Sequence, residues 1–180
     1  MNVAPTLPTA CGSLPPEGVG LAWGGPALAA EASPLTVDAS SIPCPLCGSD
    51  GGLLVYRGLD FRVIQAQELG FPAFYRVIWN RHVAEFSDLS PAEREVCMQA
   101  VVAVEQVLRH ELAPAKINLA ALGTMVPHLH WHVIARFAWD SHFPAPVWAA
   151  AQRQADAEKI DALALRCLAI NPLIAEKLRP

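Results

Sequence analysis

From Leu53 onward the apolar residues fall into short runs of strand length. Leu53 to Tyr56, Phe61 to Ala66 and Phe74 to Trp79 are rich in aliphatic and aromatic side chains and are separated by Gly58, Gly70 and Pro72. This pattern predicts three short antiparallel strands. The period then changes. Ser90-Pro91-Ala92-Glu93 has the form of a helix start, with Ser90 as N-cap, Pro91 at the first helical position and Glu93 closing a capping box. Cys97, Val101, Val104, Leu108 and Leu112 recur every three or four residues, which is one face of a helix that Pro114 must end. That face is predicted to cover the sheet. Ile117 to Leu122 and Leu129 to Phe137 return to strand patterning, joined by a turn containing Gly123 and Pro127. The tail beyond Trp148 is predicted to be helical. Its apolar stripe is Ile160, Leu163, Leu168 and Ile174, broken or kinked at Pro172, and should pack on the core or on a subunit partner.

Composition divides the chain. Residues 1 to 43 are rich in Ala, Pro, Gly and Ser and contain no Lys or Arg, and prolines interrupt every candidate helix or strand there. An extension without regular structure is expected. The catalytic domain is expected over residues 44 to 148, with a helical extension over residues 149 to 180. A chain of 180 residues, 53% of them hydrophobic, is enough for one domain with a sizeable core. The net charge of −4, without a Lys/Arg cluster, argues against a groove that tracks a nucleic-acid backbone and leaves a small anionic ligand compatible. Five irregularly spaced cysteines do not describe a disulfide framework. Together with the lack of a signal-peptide pattern or a membrane-length apolar stretch, they lead us to expect a cytoplasmic protein.

The most informative stretch is Pro127-His128-Leu129-His130-Trp131-His132-Val133-Ile134. On a strand, alternation sends His128, His130 and His132 to one face and Leu129, Trp131 and Val133 to the other, so that one face is core and the other chemistry. Three histidines in alternation, out of six in the chain, are hard to explain as ordinary surface residues. Nor does one straight strand suit a single metal bound by all three, because the outer Cα atoms lie roughly 13 Å apart. Nucleophilic catalysis remains, with the central imidazole attacking phosphorus while its neighbours orient it and handle protons. Imidazole is largely neutral near pH 7 and forms a labile phosphorus–nitrogen bond.

His-Leu-His-Trp-His-Val-Ile resembles the histidine-triad (HIT) pattern. The resemblance extends to Asn80-Arg81-His82-Val83 after a strand, Asp88-Leu89-Ser90-Pro91-Ala92-Glu93 opening a helix, and Asn118 with Gly123 ahead of the histidines. Membership implies an α+β fold: a five-stranded antiparallel sheet with a long helix packed on it, commonly assembled as a homodimer with a nucleotide site on each subunit. It implies hydrolysis at the α-phosphate of a nucleoside phosphoramidate or dinucleoside polyphosphate. His130 would form a nucleotidyl-histidine, His132 would contact the phosphate and help the leaving group depart, and His128 would orient the site. Backbone N–H groups near Gly123 and Thr124 would bind the phosphate, with Asn118 as a side-chain donor and Glu68 as the acidic candidate for the ribose hydroxyls. Related branches often carry Ser or Thr where this chain has Met125. The family's galactose-1-phosphate uridylyltransferase branch carries Gln where His132 stands, which favours hydrolysis over nucleotidyl transfer here. A nucleotide-binding or interaction protein with little turnover is the reading from another class.

Cys44-Pro45-Leu46-Cys47 is a C-x-x-C pair, compatible with a redox motif, a metal knuckle or coincidence. Certain bacterial HIT proteins combine such a pair with histidines matching His82 and His128 to bind structural zinc, and all four residues are present. Cys97 belongs to the apolar helix face, and Cys11 and Cys167 have no evident partner. Asp140 to Trp148 is expected as an ordered loop near the site mouth, with no catalytic role for His142.

Overall fold

The computed structural model describes residues 44 to 179; the N-terminal extension expected over residues 1 to 43, with Cys11, lies outside the described residues. Nine elements follow in order: a single helical turn α1 (Pro45–Gly48), strands β1 (Leu53–Arg57), β2 (Phe61–Gln65) and β3 (Phe74–Trp79), a 3₁₀ turn (Phe86–Asp88), helix α2 (Pro91–Leu112), strands β4 (Lys116–Ala120) and β5 (His130–Arg136), and helix α3 (Ala157–Lys177). The strands form one five-stranded sheet in the order β1-β2-β3-β5-β4, every neighbouring pair antiparallel. This is the α+β architecture expected from the pattern.

Period-2 alternation gives the sheet two inward faces. On one, Val63, Tyr75, Val77 and Val133 meet Val101, Val104 and Leu108 of α2 and Leu163, Cys167, Ile170 and Ile174 of α3. The other carries His130, His132 and Ile134 and is lined by a smaller apolar cluster of Leu46, Ile64, Phe74 and Ile78. Separation into a core face and an open chemical face is therefore incomplete. All three triad histidines are buried, because the N-terminal turn and the loop around Trp148 cover the histidine face.

Helix α2 starts as its sequence specifies. The Ser90 side chain accepts from the Glu93 N–H, and the Glu93 carboxylate accepts from the Ser90 N–H. Pro114 excludes Ala113 from the right-handed region, and Ala113 ends the helix at φ 49°.

The C-terminal helix corrects two expectations. It runs unbroken through Pro172, and Leu168 is exposed, its place on the buried stripe taken by Cys167 and Ile170. The true stripe steps by four, three and four residues from Leu163 to Ile174, as helical geometry requires. The unbroken passage has a local anchor. Tyr75 donates to Asn171 Oδ1 (2.8 Å) and Asn171 donates to Gln65 Oε1 (2.9 Å), tying the turn before Pro172 to the sheet. The helix also starts at Ala157, later than the expected residue 149, with Asp156 accepting from the Lys159 N–H. Among the described residues no helix is long and apolar enough to cross a membrane.

Candidate functional site

The sheet register assembles the site. On β3, Ile78 lies opposite His130, Arg76 opposite His132 and Phe74 opposite Ile134; on the other side of β5, Ala120 faces His132 and Asn118 faces Ile134. His130 and His132 therefore project from the centre of the sheet between two strands, where backbone hydrogen bonding leaves them little freedom. His128 differs from the sequence expectation. Strand β5 begins at His130, and His128 occupies the bend before it.

Hydrogen bonding to carbonyls sets the tautomer of His130 and of His128. His130 Nδ1 lies 2.6 Å from the His128 carbonyl oxygen. A carbonyl only accepts, so Nδ1 carries the proton and Nε2 keeps its lone pair. Burial lowers the His130 pKa below its ordinary value and favours the neutral, nucleophilic form, against the opposing pull of the His128 carbonyl. Burial, then the neighbouring charges of His130 and Arg76, push His132 down to about 3. The His132 ring is boxed by Phe74 (5.2 Å), Trp148 (5.4 Å) and His130 (4.8 Å), and among the described residues its buried Nδ1 has no hydrogen-bond partner.

His128 has the opposite tautomer. Its Nε2 donates to the Trp79 carbonyl (2.7 Å), which leaves the Nδ1 lone pair free. That nitrogen points at a cluster: Cys44 Sγ at 3.4 Å, Cys47 Sγ at 3.5 Å and His82 Nδ1 at 3.2 Å, with Cys47 Sγ 3.3 Å from His82 Nδ1. A tetrahedral ion with ligand bonds of about 2.0–2.3 Å has ligand–ligand edges of about 3.3–3.8 Å. These four distances lie close to that range, all four ligand atoms lie within 4.8 Å of one another, and the four residues could hold a metal ion. The helical turn α1 accounts for the cysteine side of the cluster. Pro45 starts the turn, and the Cys47 and Gly48 N–H groups donate to the Cys44 carbonyl, turning both sulfurs the same way. Arg62 holds the turn to the sheet by donating to the Leu46 (2.6 Å), Ser49 (3.2 Å) and Asp50 (3.2 Å) carbonyls.

Beside His130 a recess of about 270 Å³ opens between the loop after β4 and the Phe86 turn, with Gly123 in its wall. Gly123 adopts φ +76°, a conformation that favours glycine, and Thr124 and Met125 beside it are exposed. Asn118 is on the histidine face, but its Oδ1 accepts from Arg136 Nη1 (2.7 Å). Glu68 is ion-paired with Arg76. Its Oε1 is thus engaged by a cation on the triad face, while the side chain as a whole stays partly exposed.

Two residues of this neighbourhood were missed from the sequence. Arg76 lies directly across from His132, and its signal was a charge inside the otherwise apolar run Phe74 to Trp79. Arg136, at the end of β5, forms a buried bidentate pair with Asp140 at 2.9 Å for both contacts and donates to the Ala145 carbonyl. That pair ties the Asp140 to Trp148 loop to the histidine-bearing strand β5, and so helps seat Trp148 over His132. His142 packs edge-on against Phe71 (5.2 Å), and its ring nitrogen meets Ser141 Oγ (2.9 Å).

Comparison with known proteins agrees with this geometry. Residues 53–139 match the family model of the HIT domain. A histidine triad protein from Bradyrhizobium japonicum has a solved structure with 26% identity and a TM-score of 0.55, over 67% of this chain and 90% of that one. A histidine triad protein from Sinorhizobium meliloti 1021 is similar at 25% identity and a TM-score of 0.53, over 67% of this chain and 90% of that one. One from Marinobacter aquaeolei VT8, at 21% identity and a TM-score of 0.58, shares the fold over 72% of this chain and 93% of that one. No curated protein sequence matches the chain significantly. The HIT family includes nucleotide hydrolases and transferases. With the alternating histidines, the sheet order and the family match in agreement, residues 53–139 form a HIT domain.

Proposed function

We propose that the protein hydrolyses a nucleotide conjugate at its α-phosphate through a nucleotidyl-histidine, with His130 as nucleophile. One observation carries the reading: His130 Nδ1 is committed to the His128 carbonyl, so the Nε2 lone pair is the free end of a neutral, buried imidazole. In the first step Nε2 attacks the α-phosphorus and the bond to the leaving group breaks. The charge that develops on the ring is met by the carbonyl at Nδ1. His132 contacts the phosphate. An anion close to its ring favours the protonated form, and that proton passes to the departing group. Water then attacks phosphorus and gives a proton to the His132 ring left neutral by the first step, the phosphorus–nitrogen bond breaks, and a nucleoside monophosphate leaves with His130 restored. The positive-φ turn at Gly123, with Thr124 and Asn118, supplies phosphate donors.

The metal that suits Cys44, Cys47, His82 and His128 is zinc, since two thiolates and two imidazoles in a closed tetrahedron form a structural site. Its chemistry would be architectural: held by these four residues, it would staple the N-terminal turn to the His128 bend, whose carbonyl holds His130. His128 thus orients the nucleophile through its backbone while its ring serves the metal. The exposed sheet edge at β4 and the half-exposed Leu119 support a homodimer.

The exposed Met125 in the phosphate turn favours a second reading, a nucleotide-binding protein with little turnover. Multiple-turnover release of AMP from adenosine 5′-phosphoramidate and diadenosine tetraphosphate separates the two. The hydrolase reading expects release by wild type and none by a folded His130→Ala variant. Equal rates in both proteins, or nucleotide binding without turnover, would overturn it.

A further inference from the structure

Besides Arg57 on the edge strand β1, which is ion-paired with Asp50, three arginines project from the triad-bearing face of the sheet: Arg62 on β2, Arg76 on β3 and Arg136 on β5. Two are saturated. Arg62 donates to three backbone carbonyls and to Asn80, and Arg136 donates to Asp140, Asn118 and the Ala145 carbonyl. Both guanidinium groups brace the protein's own backbone and leave no donor edge for a ligand.

Arg76 is different. Its one protein partner among the described residues is Glu68, reached through Nη2, while its Nε is buried with no partner. Burying a donor of a charged group unsatisfied costs stability, so the unused edge calls for an explanation. The side chain stays partly open, at 22% exposure, and lies against the Phe74 ring with 5.4 Å from Cζ to the centroid. Phe74 also walls His132. Since Arg76 and His132 are directly opposite in register, their Cβ atoms are separated by about 4.5–5.5 Å. The guanidinium therefore lies at the β3 side of the triad, whereas the Gly123 turn supplies its donors from the β4 side.

A guanidinium edge of two N–H groups matches two oxygens of one phosphate. A phosphoramidate leaves as ammonia or an amine and brings no anion for Arg76 to meet. We propose that Arg76 binds the phosphate adjacent to the scissile α-phosphate, and that it makes the site selective for nucleotides whose leaving group is itself phosphorylated, as in a dinucleoside polyphosphate. Glu68 is its counterion in the empty site, and competes with the incoming phosphate. This inference rests on the hydrolase reading for the location of the α-phosphate, but its test does not require turnover.

The test uses the full chain carrying His130→Ala, which binds without cleaving. Calorimetric Kd values for AMP and diadenosine tetraphosphate are compared with and without Arg76→Met. Loss of a charge-assisted phosphate contact should weaken tetraphosphate binding about 10- to 100-fold, and AMP binding less than about threefold. Arg76→Lys keeps the charge but loses the fork, and should retain an intermediate affinity. Glu68→Gln removes the competing carboxylate and should tighten tetraphosphate binding about threefold, a result that still decides the matter if Arg76→Met fails to fold. Equal weakening of both ligands, unchanged tetraphosphate binding in Arg76→Met, or weaker tetraphosphate binding in Glu68→Gln would overturn the proposal. Arg76-dependent tetraphosphate binding in a protein whose wild type turns over neither substrate would instead sink the hydrolase reading and leave this one standing.

Discussion

His128 and His130 sit two residues apart, each ring is buried, and each donates one N–H to a backbone carbonyl, yet they donate from opposite nitrogens. His128 gives up Nε2 to the Trp79 carbonyl and turns its Nδ1 lone pair to two thiols and a second imidazole. His130 gives up Nδ1 to the His128 carbonyl and turns Nε2 to the site. The carbonyl that each ring meets thus presents one lone pair to a cluster that could hold a metal and the other to the recess, where the proposed function uses it as the nucleophile. The bend ahead of β5 creates the difference: it lets one backbone carbonyl, that of His128, serve the neighbouring ring. In the proposed reading, a metal held by that cluster would stand behind His130 and fix the carbonyl that orients it.

The comparison breaks most sharply at His130. His130→Ala should reduce turnover by at least about 10³-fold while metal content stays at that of the wild type, measured by steady-state release of AMP and by elemental analysis. Parallel loss of metal would mean that the two histidines are not separable. Cys47→Ser approaches the comparison from the other side. It should strip the metal, lower the melting temperature and reduce turnover by about 10- to 100-fold, because the His128 carbonyl shifts and the nucleophile is misplaced.

A third anchor lies at the far end of β5, where Arg136 and Asp140 form a pair only 2% and 4% exposed. Asp140→Asn leaves that guanidinium without its countercharge, and should cost about 3–5 kcal/mol in urea unfolding while metal remains bound. Loss of the metal in this variant would show the two ends of the strand to be coupled. The smallest effect concerns pH. His132 is held at about 3 in the fold against an ordinary 6.5, so folding favours its neutral ring. The sign follows: its contribution to stability is complete above about 6.5 and is lost as pH falls from there toward about 3. The fall in stability over that window should be shallower in His132→Gln, which lacks the titrating ring. An unchanged slope would show that His132 does not carry it.

Most of the fold was legible because its elements are locally consistent. The capping box at Ser90, the spacing of α2 and the stop at Pro114 each suffice to place a helix boundary, and the short apolar runs bounded by Gly and Pro place the strands within a residue or two. Alternation identified the histidines, and the C-x-x-C pair marked the cysteines. Neither indicates a tautomer, because the Trp79 carbonyl comes to His128 only through sheet pairing of residues far apart in sequence. Leu168 lies outside the buried stripe because four-residue spacing from Leu163 reaches Cys167, not residue 168. Arg76 went unread for a different reason. A lone charge in an apolar strand is a conflict between local and global preferences, and such conflicts concentrate at functional sites.

The most direct test of the central claim is intact-protein and peptide mass spectrometry on enzyme mixed with diadenosine tetraphosphate and quenched in base, where a phosphorus–nitrogen bond survives. The account predicts an adenylyl adduct on the peptide containing His130, present in wild type and missing from His130→Ala. Turnover with no such adduct, or an adduct carried by His132 or another residue, would contradict it.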